Sequence, residues 1–268
     1  MGKAHQRIVI KVGTGVLTRE STGELDHAML SRLVQAISDL CRTGHEVLLV
    51  SSGAVGAGLP AFGLKKRPAD QVTLLQACAA VGQARLMQIY DSGFRNYGFG
   101  VAQVLLIHED FESEGRRANV QNTLNCLLEH TDIVPIINEN DPVATFELRV
   151  GDNDKLSALV AKLVHADLLI LLTQVPGLRG PGAKDENDII REVPDIESVL
   201  EFANGEVGSL SVGGMKSKLG AVADVLAAGI ETIIASGRNP EQLPALVAGE
   251  GICTRFRVPV PRGKSKGK

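Results

Sequence analysis

Six short apolar runs punctuate this chain: Ile8 to Val12, Val47 to Val50, Val101 to Ile107, Ile133 to Ile137, Leu168 to Leu172 and Ile230 to Ala235. Strands that are apolar at nearly every residue, rather than at alternate ones, are buried on both faces, which is the condition of a mainly parallel sheet covered by helices. Helical spacing fills the gaps. Met29, Leu30, Leu33, Val34, Ile37, Leu40 and Cys41 recur on one helical face, with Asp26 a candidate N-cap and Gly44 a candidate C-cap, so the first two runs bracket a βαβ unit. Further helices are predicted over Gln71 to Tyr90, Arg117 to His130, Asn153 to Val164 and Met215 to Ala228. Pro176 to Asp188, rich in glycine, proline and charge, reads as a surface excursion before a short return near Ile189.

A chain of 268 residues with 44% apolar content can bury a sizeable core, as one large domain or two lobes sharing a sheet. Its net charge of -3 argues against a general nucleic-acid surface, which needs clustered positive charge. The basic cluster Arg262, Lys264, Lys266 and Lys268 belongs to a tail, residues 261–268, expected to be disordered. Cys41, Cys78, Cys126 and Cys253 are far apart and form no C-x-x-C pair, as in a cytoplasmic protein with reduced, structural cysteines. Neither a secretory signal nor an apolar stretch long enough to span a membrane is visible.

In open parallel sheets ligands sit at the carboxyl ends of the strands. Reading those ends in order gives Lys11-Val12-Gly13-Thr14-Gly15, Ser51-Ser52-Gly53-Ala54, Asn138-Glu139-Asn140-Asp141, Thr173-Gln174 and Ser236-Gly237. Two further clusters open helices: Gly151-Asp152-Asn153-Asp154 and Gly213-Gly214-Met215-Lys216-Ser217-Lys218. Backbone N–H groups at such junctions face phosphate oxygens, and lysines neutralise their charge, so the pattern reads as a phosphoryl-transfer site. Neither the P-loop nor G-x-G-x-x-G is present, since Gly53, Gly56 and Gly58 have the wrong spacing. Asp152, Asn153 and Asp154 either cap their helix or hold lysines by ion pairs while Asn153 binds substrate. Lys216 and Lys218 sit at the positive end of a helix dipole, which makes sense if an anion occupies the site. The six histidines show no ligand spacing, so no resident metal is expected and Mg²⁺ enters with ATP.

The chain resembles the amino acid kinase family, and within it the glutamate-phosphorylating branch. The resemblance rests on Val9-Ile10-Lys11-Val12-Gly13-Thr14, Val50-Ser51-Ser52-Gly53-Ala54, Ala80-Val81-Gly82-Gln83-Ala84-Arg85-Leu86, Val134-Pro135-Ile136-Ile137-Asn138-Glu139-Asn140-Asp141, Val150-Gly151-Asp152-Asn153-Asp154 and Gly213 to Leu219. It implies an αβα sandwich with a central, mainly parallel open sheet over residues 1–260, with a glutamate lobe at about 1–165 and an ATP lobe at about 166–260. It further implies that Lys11 and Lys218 are catalytic lysines oriented by Asp154. Ser52, Asp141 and Asn153 would bind L-glutamate, with Asn138 and Asp152 nearby. Lys11, Gly13, Thr173, Gln174 and the segment Val212, Gly213, Gly214, Met215, Lys216, Ser217 and Lys218 would contact the nucleotide.

Three features depart from the family pattern: Gln174 replaces the usual aspartate, Lys216 replaces a small polar residue, and the C-terminal PUA domain of many bacterial members is not seen. The product would be L-glutamyl 5-phosphate, the first intermediate of proline synthesis. Rival readings are an aspartate or N-acetylglutamate kinase and a non-catalytic sensor of the same fold. Asp141 suits a free α-ammonium and opposes an acylated nitrogen. Leu59 to Gln71, with Lys65, Lys66 and Arg67, reads as a solvated loop, and the resemblance ties this region to proline feedback inhibition. A homo-oligomer, dimer or tetramer, and a glutamyl phosphate reductase partner are implied in the same way.

Overall fold

The computed structural model describes residues 5–19, 22–68, 71–144, 152–180, 182–185, 188–200 and 214–258. Among them, eight strands form one sheet: β1 (Arg7–Val12), β2 (Glu46–Val50), β3 (Gly100–Leu106), β4 (Ile133–Glu139), β5 (Leu168–Thr173), β6 (Glu192–Val193), β7 (Glu231–Ser236) and β8 (Cys253–Phe256). Their spatial order is β3-β4-β2-β1-β5-β7-β8-β6. Every pairing is parallel except β7 with β8.

The six apolar runs are six of these strands, displaced by a residue or so at their ends, and the Ile133 run continues to Glu139. Alternation along each strand divides the core into two layers. Ile8, Ile10 and Val12 of β1, with Leu168, Ile170 and Leu172 of β5, face one layer, while Val9, Leu169 and Leu171 face the other. The first layer is closed by α2 (His27–Arg42) and α4 (Val72–Arg95), through Leu33, Ile37, Leu86 and Phe94. The second is closed by α6 (Glu114–Glu129), α7 (Asp152–Leu163) and α8 (Gly214–Leu226), through Leu124, Val160 and Val222. Each such buried aliphatic side chain contributes about 1.5–3 kcal/mol, so both faces must be covered. The result is the expected αβα sandwich. Asp26 caps α2 by accepting from the Met29 N–H at 3.1 Å, and Gly44, at φ +90°, turns the chain out of its far end.

Several elements went unread. Strand β8 and the two-residue edge strand β6 carry no apolar run, and the short helices α1 (Thr14–Leu17), α3 (Ala54–Gly58), α5 (Glu109–Glu112) and α9 (Leu243–Val247) carry no periodicity. The excursion from Pro176 is also less solvated than its composition suggests. Gly177 and Leu178 are buried against β8, and the Leu178 N–H donates to Thr254 Oγ1 at 2.7 Å. Leu59, at the start of the segment read as a solvated loop, is buried and opens a 3-10 turn to Phe62. The four cysteines are free, and no helix among the described residues is long and apolar enough to cross a membrane. The basic tail, residues 261–268, lies outside the described residues.

The glycines of Gly53 to Gly58 have a packing role. Gly53 takes φ +99° where β2 leads into α3. A Cβ on Gly58 would lie 1.8 Å from the Cys78 carbonyl oxygen, and one on Gly82 would lie 1.8 Å from that of Ala54. The backbones of α3 and α4 therefore meet directly, and only hydrogen side chains fit between them.

Candidate active site

From β1 the chain moves to β2 on one side and later returns to β5 on the other, so a crevice opens at the carboxyl ends of these central strands. Lys11, near the end of β1, is only 6% exposed, and Asp154, in the first turn of α7, only 4%. Asp154 Oδ1 lies 2.8 Å from Lys11 Nζ, and its Oδ2 accepts from Lys218 Nζ at 3.0 Å. Lys218 also donates to the Gly214 carbonyl at 3.3 Å. A carboxylate is favoured near a helix N-terminus by the local dipole, so α7 itself supports Asp154 there.

One carboxylate between two ammonium groups leaves a positive excess among largely buried side chains. Burial pulls the Lys11 pKa below that of an ordinary lysine, Asp154 opposes the shift, and Lys218 adds to it. An incoming anion would relieve this imbalance. The Gly13 backbone lies beside this cluster, since a Cβ there would stand 3.4 Å from Lys11 Nζ, in ordinary contact. Of the two lysines read at the start of α8, Lys218 turns into this cluster, whereas Lys216 is exposed.

On the other side of Asp154 the neighbouring residue organises a polar pocket. Asn153 Nδ2 lies 2.7 Å from Ser52 Oγ, 3.0 Å from the Ser51 carbonyl and 3.1 Å from Asn138 Oδ1. Asn153 Oδ1 is buried and has no hydrogen-bond partner among the described residues. A cavity of about 500 Å³ is lined by Lys11, Ser52, Asn138, Asp141, Asn153 and Asp154, with Lys65, Lys66 and Arg67 along its rim. The basic segment read as a solvated loop is thus exposed but borders this cavity.

The other half of the expected site is described in part. Thr173 ends β5, half-buried, and Gln174 is exposed, its amide 2.8 Å from where a Cβ on Gly15 would be. Met215 and Ser217 are half-buried in the first turn of α8. Val212, Gly213 and Gly151 lie outside the described residues, as does the side chain of Asp152. Three participants were given no role from sequence, although Ser51 and Gln83 stand within the motifs quoted above. Ser51 and Tyr90 share a 2.8 Å hydrogen bond, and Gln83 bonds Asn138 at 2.9 Å. The available signal was a polar residue and a tyrosine, Gln83 and Tyr90, on the same face of α4 as its buried aliphatics.

A mainly parallel sheet covered by helices in this way has counterparts among known proteins. The chain belongs to the amino acid kinase family, whose profile matches residues 6–236. Its curated relatives include the glutamate 5-kinase of Gloeobacter violaceus, 46% identical over 260 residues, covering 96% of this chain and 70% of the relative. Glutamate 5-kinase of Clostridium perfringens is 43% identical over 261 residues, covering 95% of this chain and 96% of the relative. Among solved structures, carbamate kinase from Giardia lamblia bound to AMP-PNP superposes with a TM-score of 0.67 at 17% identity, covering 95% of this chain and 99% of that one. At that identity the likeness speaks for the fold.

Proposed function

We propose that this protein transfers the γ-phosphoryl group of ATP to the γ-carboxylate of L-glutamate, giving L-glutamyl 5-phosphate, the first step of proline biosynthesis. The observation that carries the reading is Asp154 bridging Lys11 and Lys218 beside the amide pocket of Asn153. The acceptor carboxylate is already ionised at neutral pH, since such a group titrates near about 4.3. No general base is needed. One carboxylate oxygen forms a bond to the γ-phosphorus while the β,γ-bridging P–O bond breaks, and ADP leaves with the electron pair.

The barrier lies in bringing two anions together and in the charge spread over the transferring group. Lys11 and Lys218 would offset that charge, and Asp154 would hold both ammonium groups at fixed positions. Ser52, Asn138 and Asn153 would receive the amino acid, with the unpaired Asn153 Oδ1 available to its ammonium group. Asp141 on the cavity wall, with Asp152 nearby, favours a free amine over an acylated one. Thr173, Gln174 and residues 212–218 would receive the nucleotide. The acceptor lobe would then be about residues 1–165 and the nucleotide lobe about 166–260.

Mg²⁺ belongs to this scheme as part of the nucleotide substrate. Asp154 is engaged by two lysines, and the described residues contain no group of three potential ligands. A cytoplasmic homo-oligomer, inhibited by proline and feeding a glutamyl phosphate reductase, completes the proposal, since an acyl phosphate hydrolyses readily in water.

Lys11 gives the scheme a pH signature. Anion binding favours the ammonium form and raises the depressed pKa of Lys11, so nucleotide binding takes up protons wherever the free site has begun to lose the ammonium form. Affinity for a non-hydrolysable ATP analogue should therefore fall as pH rises from neutral toward the pKa of an ordinary lysine, more steeply than for Lys11→Met. Calorimetric titration across that range measures it. Equal slopes for the two proteins would contradict the assignment.

The reaction itself is tested by hydroxamate formation from MgATP and hydroxylamine, with glutamate, aspartate and N-acetylglutamate offered in parallel. Signal with glutamate alone is expected. Signal with another acceptor would reassign the pocket around Asp141 and Asn153, and silence with all three would leave a binding protein without turnover.

A further inference from the structure

Behind the acceptor pocket runs a directional chain of side-chain amides. Asn153 Nδ2 donates to Asn138 Oδ1 at 3.1 Å, Asn138 Nδ2 donates to Gln83 Oε1 at 2.9 Å, and Gln83 Nε2 donates to Gln103 Oε1 at 3.1 Å. Its polarity is fixed by backbone groups that have no choice of role. The Glu139 N–H donates to Asn138 Oδ1 at 2.9 Å, and the Ser51 carbonyl accepts from Asn153 Nδ2. An amide must present its oxygen to a donor and its NH₂ to an acceptor, so these two anchors determine which way Asn138 and Asn153 face. Asn153 Oδ1 is thereby left as the atom without a partner.

Gln83 secures the Asn138 end of this arrangement. Asn138 is 2% exposed and Gln83 is 8% exposed, so no solvent shell can replace the acceptor that Gln83 gives to the Asn138 NH₂. Gln83 follows Gly82, the glycine that lets α4 approach α3. One face of α4 reaches the site twice, since Tyr90 lies seven residues after Gln83 and holds Ser51 Oγ at 2.8 Å. At the far end Gln103 is exposed on the edge strand β3.

We infer that Gln83 is a positioning residue for the amino-acid acceptor: it touches no substrate, and by accepting from the Asn138 amide it holds Asn138, and through it Asn153, in the direction that the backbone anchors set. This rests on the glutamate-phosphorylating reading above. Removing the acceptor leaves a buried NH₂ without a partner, and Asn138 turns to find one at the expense of its bond to Asn153. The loss should fall on acceptor binding, not on the lysine cluster.

The test compares wild type with Gln83→Met, which keeps the length and removes the acceptor, and Gln83→Glu, which keeps an oxygen toward Asn138. Gln83→Met should raise the glutamate KM about tenfold, with kcat and the ATP KM within about twofold. Gln83→Glu should recover most of the loss. A glutamate KM unchanged in folded Gln83→Met overturns the inference. So does a parallel fall in every parameter with no recovery in Gln83→Glu, which would mark a packing role. If Gln83→Met fails to fold, the same question is put from the exposed end, where Gln103→Glu can accept from Gln83 and Gln103→Lys can only donate. A higher glutamate KM in the lysine variant supports the relay, and equal values overturn it. Wild type inactive toward glutamate would instead defeat the functional reading, so the two failures are distinguishable.

Discussion

Asp154→Asn should lose about 10³-fold in kcat while the glutamate KM changes far less. The substitution keeps the shape of the side chain but removes the charge between Lys11 and Lys218. An amide offers one oxygen and one NH₂, so one of the two lysines loses its acceptor and meets a donor instead. Both ammonium groups are largely buried, with side-chain exposures of 7% and 12%, so water screens neither well. The lysines then move apart, and the phosphoryl group in flight loses cations that must be in place before it arrives. Breaking a buried ion pair also costs stability, about 3 kcal/mol, because the surviving charge is left unpaired. For a domain of this size that lowers Tm by roughly 6–12 °C. Single-turnover assays and thermal melting separate the two effects. A folded Asp154→Asn that keeps its kcat within a factor of ten would show that the bridge is structural.

Gly82→Ala and Gly58→Ala should be among the most destabilising single-methyl additions in the chain. Each new Cβ would overlap a backbone carbonyl oxygen at 1.8 Å, in the first case with the Gly58 nitrogen at 2.5 Å as well. A side-chain neighbour can rotate away, but a backbone neighbour moves only with its helix. Overpacking of this kind costs about 3 kcal/mol or more. The shift is transmitted to the site, because Ser52 and Gly53 lead directly into α3 and Gln83 follows Gly82. The glutamate KM should therefore rise along with the loss of stability. Gly115→Ala, in an exposed turn of α6 with no atom within 4 Å of the new Cβ, is the control. It should gain about 0.5–1 kcal/mol from helix propensity alone. Chemical denaturation of the three variants measures this, and equal midpoints for all of them would refute the close-packing account.

The strands were legible because a buried parallel strand is apolar along its whole length, and α2 because its apolar residues keep one face and its ends carry Asp26 and Gly44. Strand β8, of sequence Cys-Thr-Arg-Phe, has neither property. Its pairing comes from neighbours, with β7 on one side and β6 on the other. The site was legible as types of residue at strand ends: Lys11 after β1's apolar run, Ser52 after β2, Asn138 in β4, and Asp154 and Lys218 at helix starts. The partner of each could not be read in the same way. Asp152, Asn153 and Asp154 look alike as helix-opening residues, and Lys216 resembles Lys218.

What the sequence determined by itself was the alternation of elements, the layers they must form, and the chemistry collected at one edge of the sheet, all of which follow from local periodicity and residue type. Tertiary structure alone decided that Asp154 bridges the two lysines, that Asn153 meets Ser51 across 102 residues of sequence, and that Gln83 stands behind Asn138. Periodicity fixes which face of an element is buried. Which buried polar groups then meet depends on strand order and on how closely two helices can approach, and here that approach turns on the missing Cβ atoms of Gly58 and Gly82.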